Sequence, residues 1–403
     1  MNEGIGIPTE SWDFRGDKTT ELTHGVHPYP ARMPPQLPRT LIDGYRDEVT
    51  FIGDPYCGSG TVLLESMRAG VPCYGTDINA LATLISRVKT TLVSSPVFVE
   101  ARDLIPQLKT AFDRGGREDA SSERIDFMFS RHVRRQLSTI VHQMERLQNK
   151  ISRKTFDIML VSLAYTARKV SFQRWKEFKL YRIPKERRPY YRPNAYGVFL
   201  THFAASLEQL ARLKDELGRQ RRTPRVKVEL GDARFFNPPS KVDMIITSPP
   251  YGDSRTTVAY EEFAIPAMLW LSKLGVRSLE PKLLKPRDIL SCSPSLQVYM
   301  KRIQSVDQSR ARDIQHFYED VHASISRMYQ SLDQGGRLCL VVGGRTIRGI
   351  FIPMDMIVED FAASLGFEHE AKHARTISAK TQPKMNNVAT TINHEYIEVF
   401  RKA

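Results

Sequence analysis

The 403-residue sequence holds only four cysteines, Cys57, Cys73, Cys292 and Cys339, and no two form a CxxC pair. That scarcity argues against a structural zinc site and against a disulfide framework. His24 and His27 lie close together with no third ligand type beside them, so they read as packing or pocket residues and no metal is expected. Long apolar runs are also absent: no stretch approaches the ~20 residues of a membrane span, and MNEGIGIPTESWDFRGDK lacks the hydrophobic region of a signal peptide. A cytoplasmic protein is the expectation. We find no internal repeat and no low-complexity tract.

Acidic residues are in short supply: 45 Asp and Glu stand against 59 Lys and Arg, a net charge of +14. The imbalance is local. Residues 151–225 carry 18 Lys or Arg against 6 Asp or Glu. A charge run usually marks a solvated helical face. Here aromatics are interleaved with the cations, as in Phe172-Gln173-Arg174-Trp175-Lys176 and Arg187-Arg188-Pro189-Tyr190-Tyr191-Arg192. Cations meet phosphates, and rings or guanidinium planes stack on bases. Arg174, Lys176, Arg187, Arg188 and Arg192 are therefore candidate contacts to nucleic acid.

Two strand ends carry the chemistry. The run Val242-Asp243-Met244-Ile245-Ile246-Thr247 reads as a buried strand and stops at Ser248-Pro249-Pro250-Tyr251. The prolines supply no backbone donor and fix φ, so the strand ends in a rigid corner with a hydroxyl, free carbonyls and an aromatic ring. Upstream, Val49–Gly53 ends in Asp54-Pro55-Tyr56-Cys57-Gly58-Ser59-Gly60-Thr61, a glycine-rich turn before a helix. This turn is neither GxGxxG nor GxxxxGK[ST], which favours a ligand without phosphate. A second strand ends at Asp77, followed by Ile78, and a third runs into Asp232 and Ala233. Taken singly, each Asp reads as a cap or turn residue. Together, Asp54 for a cationic amine, Asp77 for ribose hydroxyls and Asp232 for an adenine amino group fit S-adenosylmethionine. The pattern of strand, glycine turn, helix, strand and acid predicts an α/β, Rossmann-like doubly wound sheet. Residues 1–92 and 226–403 read as two parts of one catalytic core, with a basic, mainly helical insertion at 93–225 and a second insertion at about 254–330.

These motifs resemble those of the class I S-adenosylmethionine-dependent amino-methylating DNA methyltransferases. His24-Gly25-Val26-His27-Pro28-Tyr29-Pro30-Ala31-Arg32-Met33 is similar to the family's N-terminal motif. That likeness implies contacts of His27, Pro28 and Pro30 with the methionine part of the cofactor. DPYCGSGT, GTDIN, GDAR and TSPPY are similar to its cofactor and catalytic motifs. They imply roles for Asp54, Pro55, Gly58, Gly60, Thr61, Asp77, Ile78, Asp232 and Ala233, and for Ser248 through Tyr251. The Ser-Pro-Pro-Tyr form is typical of cytosine-N4 enzymes of the family. Lys380–Lys384 and Thr391–Glu395 resemble its final segment.

The resemblance implies a flipped cytosine stacked on Tyr251, with its N4 hydrogens accepted by Ser248 and the Pro249 carbonyl. The resemblance makes the bound nucleic acid double-stranded DNA, which would hold the protein at the nucleoid of a prokaryotic cell; Arg255, Thr256 and Thr257 would meet phosphate or base, and Asp253 reads first as a turn carboxylate. No Pro-Cys corner sits at a catalytic strand end, which argues against cytosine-C5 chemistry. Adenine-N6 methylation on the same scaffold is the first alternative. An RNA or protein-amide methyltransferase and a catalytically silent DNA-binding protein follow. A partner restriction nuclease accompanies the leading reading; the recognition sequence and oligomeric state are not legible.

Overall fold

The computed structural model describes residues 11–114, 120–218, 224–252, 260–280, 288–377 and 394–403. Helix α1 (Gln36–Gly44) leads into β1 (Ile52–Asp54), α2 (Thr61–Arg68), β2 (Cys73–Asp77) and α3 (Ala80–Lys89). Five helices follow: α4 (Ser95–Asp113), α5 (Glu123–Met128), α6 (Arg131–Leu147), α7 (Arg153–Val170) and α8 (Ala195–Leu217). The chain returns through β3 (Val226–Leu230) and β4 (Val242–Thr247) to α9 (Tyr260–Leu271), α10 (Pro294–Gln304) and α11 (Gln308–Ser331). It closes with β5 (Leu332–Val342), β6 (Arg345–Ile347), β7 (Ile350–Ile352), α12 (Met354–Ser364), β8 (Phe367–Thr376) and β9 (His394–Lys402). Among the described residues no helix is long and apolar enough to cross a membrane.

Seven strands form one sheet in the order β3-β2-β1-β4-β5-β9-β8. The first five are parallel, while β9 runs antiparallel to both β5 and β8. Alternate side chains on the central strands face opposite layers, as a period of two requires. Met244, Ile246, Cys339 and Val341 join Leu37, Leu41, Val62 and Leu63 from α1 and α2. Ile245, Leu338, Leu340 and Val342 join Leu296, Ile325 and Phe361 from α10, α11 and α12. With both faces covered, the near-continuous apolar run of β4 is what a central parallel strand needs. Its one acid, Asp243, accepts from Thr50 N, Thr50 Oγ1 and Phe51 N at 2.6–2.9 Å. That fixes the register of β4 against the entry to β1.

The helices of 93–225 share a third core with α3, α9 and the segment around Val26 and Tyr29. Side-chain caps define their starts: Ser130, Ser152 and Asn194 each accept a backbone amide in the first turn of α6, α7 and α8, worth about 1 kcal/mol apiece. Helix α2 stops at Gly70, whose φ of +77° suits a left-handed helix end.

Candidate active site

Because β1, β2, β3 and β4 are parallel, their C-terminal ends lie along one edge of the sheet, where open α/β sheets take ligands. The glycine turn after β1 is folded over the end of β2. Cys57 N donates to Thr76 O (2.9 Å), and Gly58 N donates to Asp77 Oδ2 (2.9 Å). Gly58 and Gly60 sit at φ +48° and +76°, which side chains rarely adopt. Gly75 answers a different need: a Cβ there would stand 2.6 Å from Leu63 Cδ1, so only glycine lets β2 pass beneath α2.

Among the described residues, the two carboxylates at this turn have no cationic partner. Asp54 is buried and accepts from Thr247 Oγ1 (2.7 Å) and Tyr56 N (3.3 Å). Burial pushes its pKa up to about 7. Asp77 accepts from Asn79 N (2.8 Å) and Gly58 N, and burial raises it to about 6. A buried carboxylate held only by amides and hydroxyls favours a cation or further hydroxyl donors beside it. A sulfonium amino acid bearing a ribose supplies both, so the donor set fits S-adenosylmethionine. Asp232 differs. It caps the short turn after β3 through Arg234 N (3.0 Å) and is ion-paired with the Arg234 guanidinium at 2.5 Å; Arg234 also reaches Asp320 at 2.7 Å. Asp232 follows β3 beside Asp77, since Gly231 N donates to Asp77 O (3.0 Å), and Ala233 is buried behind it.

The HPYP segment reaches the same turn from the opposite side. Tyr29 is the side chain nearest to the point where a Gly58 Cβ would stand, and its hydroxyl accepts from Asn79 Nδ2 at 3.4 Å. His27 bonds the Pro28 carbonyl through Nδ1 (2.6 Å), while its buried Nε2 has no hydrogen-bond partner among the described residues. Burial lowers its pKa to about 3, so the ring is neutral. His24 is tied to Glu65 at 2.7 Å in a buried pair. Among the described residues, Glu359, His369 and Glu398 lie close enough together to suggest a metal. The Lys372 ammonium already bridges that cluster, 2.7 Å from Glu359 and 3.0 Å from Glu398.

At the end of β4, the corner is joined to the cofactor turn through a single side chain. Thr247 Oγ1 donates to Asp54 and accepts from Tyr56 N (3.2 Å). One residue on, Ser248 Oγ lies 3.0 Å from the Val341 carbonyl and 3.1 Å from Tyr251 Oη. Pro249 is buried, whereas Pro250 and Tyr251 are half-buried. A cleft beside Tyr251 is walled by Phe317, Tyr318, Arg345 and Ile352.

This sheet edge, with its glycine turn and proline corner, can be set beside known proteins. Residues 3–86 and 242–403 match the model of a family described as DNA methylase. The chain is 30% identical over 432 residues to the type II methyltransferase M.MvaI of Kocuria varians, covering 98% of this chain and 93% of that protein. It belongs to the DNA methylase family. A shorter likeness, 35% over 92 residues, links it to the type II methyltransferase M.MjaII of Methanocaldococcus jannaschii, covering 22% of this chain and 17% of that one. Among solved structures, the rRNA methyltransferase aviRa of Streptomyces viridochromogenes shares 11% identity at a TM-score of 0.35, covering 95% and 90% of the two chains. A SAM-dependent methyltransferase of Methanosarcina mazei shares 9% at 0.32, covering 93% and 98%. As a DNA methylase the protein transfers a methyl group from S-adenosylmethionine to an exocyclic amine of DNA, N4 of cytosine or N6 of adenine.

The basic residues singled out from the sequence gather in the segment between α7 and α8. Arg174, Lys176, Arg187 and Arg192 are exposed; Arg188 is half-buried, donating through Nε to the Ile183 carbonyl (3.0 Å). Phe263 of α9 links this segment to the DNA methylase site, with ring centroids 6.0 Å from Phe178, 5.9 Å from Tyr29 and 6.2 Å from His27. Asp253, Arg255, Thr256, Thr257 and the Lys380–Lys384 motif lie outside the described residues. Of three further residues near the site, Lys89 and Tyr260 carried no signal in the sequence, and Glu395 fell in the Thr391–Glu395 likeness without a role. Lys89 is fully buried, with Nζ 3.3 Å from Ser59 Oγ. Tyr260 lies 5.8 Å from Tyr29, and Glu395 is bonded to Tyr251.

Proposed function

We propose that this DNA methylase is a site-specific cytosine-N4 methyltransferase acting on double-stranded DNA as the modification partner of a restriction nuclease. The observation that carries the reading is the Ser248–Tyr251 corner at the end of β4, one residue beyond the threonine that binds Asp54. An exocyclic amine attacks through a lone pair delocalised into its ring, so acceptors must draw off its hydrogens as nitrogen turns pyramidal. Ser248 Oγ spends its single proton on Val341 or Tyr251, and its lone pairs remain for an amine donor. The Pro249 carbonyl supplies the second acceptor, and the Tyr251 ring supports the face of a flipped base.

Asp54, Gly58, Gly60 and Thr61 would hold the methionine part with His27, Pro28, Pro30 and Pro55 around it. Asp77 and Ile78 would take the ribose. Asp232 would accept from the adenine amine while keeping its pair with Arg234. Positioning two reactants in line contributes on the order of 7–11 kcal/mol, so no strong base is needed before attack. Residues 93–225, through Arg174, Lys176, Arg187, Arg188 and Arg192, would grip the duplex, with Arg255 from the later insertion. Digestion of DNA after incubation with labelled cofactor tests the assignment: N4-methylcytosine supports it, and N6-methyladenine replaces it with the adenine reading.

A further inference from the structure

The Tyr251 hydroxyl has a partner that neither stacking on a base nor cofactor binding calls for. Its oxygen lies 3.1 Å from Oε1 of Glu395, near the start of β9. The Glu395 side chain is 16% exposed, and its second oxygen lies 3.3 Å from Nη1 of Arg375, its cross-strand neighbour on β8. Tyr260 of α9 lies near enough for the Glu395 charge to help hold its hydroxyl protonated. An ionised carboxylate can only accept, so the Tyr251 proton points at Glu395 and the tyrosine oxygen is left to accept from Ser248 when the serine proton turns to it from the Val341 carbonyl. The hydrogen bonds therefore run one way: amine to Ser248, Ser248 to Tyr251, Tyr251 to Glu395.

We propose that Glu395 is a positioning residue and the terminal proton acceptor of the methyl transfer, acting through Tyr251 and Ser248. The inference rests on the reading that this corner receives the exocyclic amine. As the N–C bond forms, the C–S bond breaks and its electron pair stays on sulfur. The nitrogen then gives one proton to Ser248 Oγ, the serine proton passes to Tyr251 Oη, and the tyrosine proton ends on Glu395. The sulfonium charge and the carboxylate charge are thereby both cancelled within the site. Burial holds the Glu395 carboxyl above the usual range, with Arg375 opposing the shift, so the group is poised to take a proton and release it later to water.

The test is single-turnover methyl transfer by the full chain, with DNA and labelled cofactor, across pH 5–9. Glu395→Gln should slow transfer about 100-fold and remove the acid limb of the rate profile, with cofactor affinity changed less than about twofold. Tyr251→Phe keeps the ring but breaks the relay, and should give the same loss. The double variant should be no slower than either single one, since one path is cut once. Arg375→Gln should move the acid limb to higher pH, which a purely structural role of Glu395 would not do, and Glu395→Asp should restore part of the rate. A Glu395→Gln enzyme with the original rate and limb overturns the relay, as does a double variant whose losses multiply. If the unmodified protein yields a methylated exocyclic amine while Glu395→Gln matches it, only the relay fails. If the unmodified protein methylates no amine, the underlying reading fails with it.

Discussion

The cofactor turn and the basic segment between α7 and α8 are built on opposite plans. At the turn, Asp54 and Asp77 are held by backbone amides and one threonine hydroxyl, with no cation paired to them among the described residues. In the basic segment, Arg174, Lys176, Arg187 and Arg192 stand exposed on loops and one short 3-10 turn, Lys185–Tyr190. A small ligand with one fixed cation is best met by preorganised buried carboxylates, where a low dielectric magnifies each contact. A polyanion with a charge every few ångströms is best met by exposed, adjustable cations that displace counterions. The contrast implies that damage to the turn is large and local, whereas damage to the basic segment is small, additive and salt-dependent.

Asp77→Ala should give the largest effect. It removes the carboxylate proposed for the ribose hydroxyls and leaves the Gly58 and Asn79 amides without their partner. Two hydrogen bonds to a charged group, at roughly 1.5–3 kcal/mol each, predict a loss of cofactor affinity of about 100-fold or more, measurable by calorimetry. Survival of that affinity would break the contrast at its strong end. Tyr251→Ala comes next. Stacking on a base is worth roughly 1–3 kcal/mol, so transfer should fall about 5- to 150-fold below that of Tyr251→Phe, which keeps the ring, while cofactor affinity stays nearly constant. Equal loss of both would move the tyrosine out of the base site.

A pH titration of cofactor affinity sharpens the comparison further. Asp54 titrates at about 7 and Asp77 at about 6 without ligand. Below pH 7 Asp54 is increasingly protonated and would cease to attract the cationic amine proposed to sit beside it; above 7 it is ionised. Affinity should therefore rise by up to about tenfold per pH unit approaching 7 and level off beyond it. Asp54→Asn should flatten the part between about pH 6 and 7.

Much of this design is legible in the sequence alone. VDMIIT is β4 from end to end, because a near-continuous apolar run cut off by two prolines leaves little room for error. The glycine turn and the acids ending β1 and β2 are legible too, since each has a local cause. Two kinds of feature are not. Strand β8, FEHEAKHART, is charged along its length and sits at the sheet edge, where charges guard against pairing with other chains and hide the strand signal. The β6–β7 hairpin turns on Arg348 and Gly349, both at positive φ, and Arg348 gives no warning of that. Glu395 and Lys89 escape for another reason: their meaning lies in side chains far away in sequence, Tyr251 for one and Ser59 for the other.

The smallest predicted effect tests the weak end of the contrast. Arg187, Arg188 and Arg192 read alike in the sequence, but they are not alike in the fold. Arg187 and Arg192 are exposed. Arg188 is half-buried, donates to the Ile183 carbonyl and lies 5.7 Å from the Phe172 ring, so part of its bonding capacity is already used. Replacing Arg187 and Arg192 together by Ala should lower the slope of log affinity against log salt by about 0.9 for each phosphate the protein no longer neutralises. Arg188→Ala should change that slope less and instead loosen the segment, seen as a lower melting temperature. Cofactor affinity should not move in either variant, because Asp54, Asp77 and the glycine turn do not touch these arginines. An unchanged slope in the double variant would transfer DNA binding to the insertion after β4 and leave the methyltransferase standing.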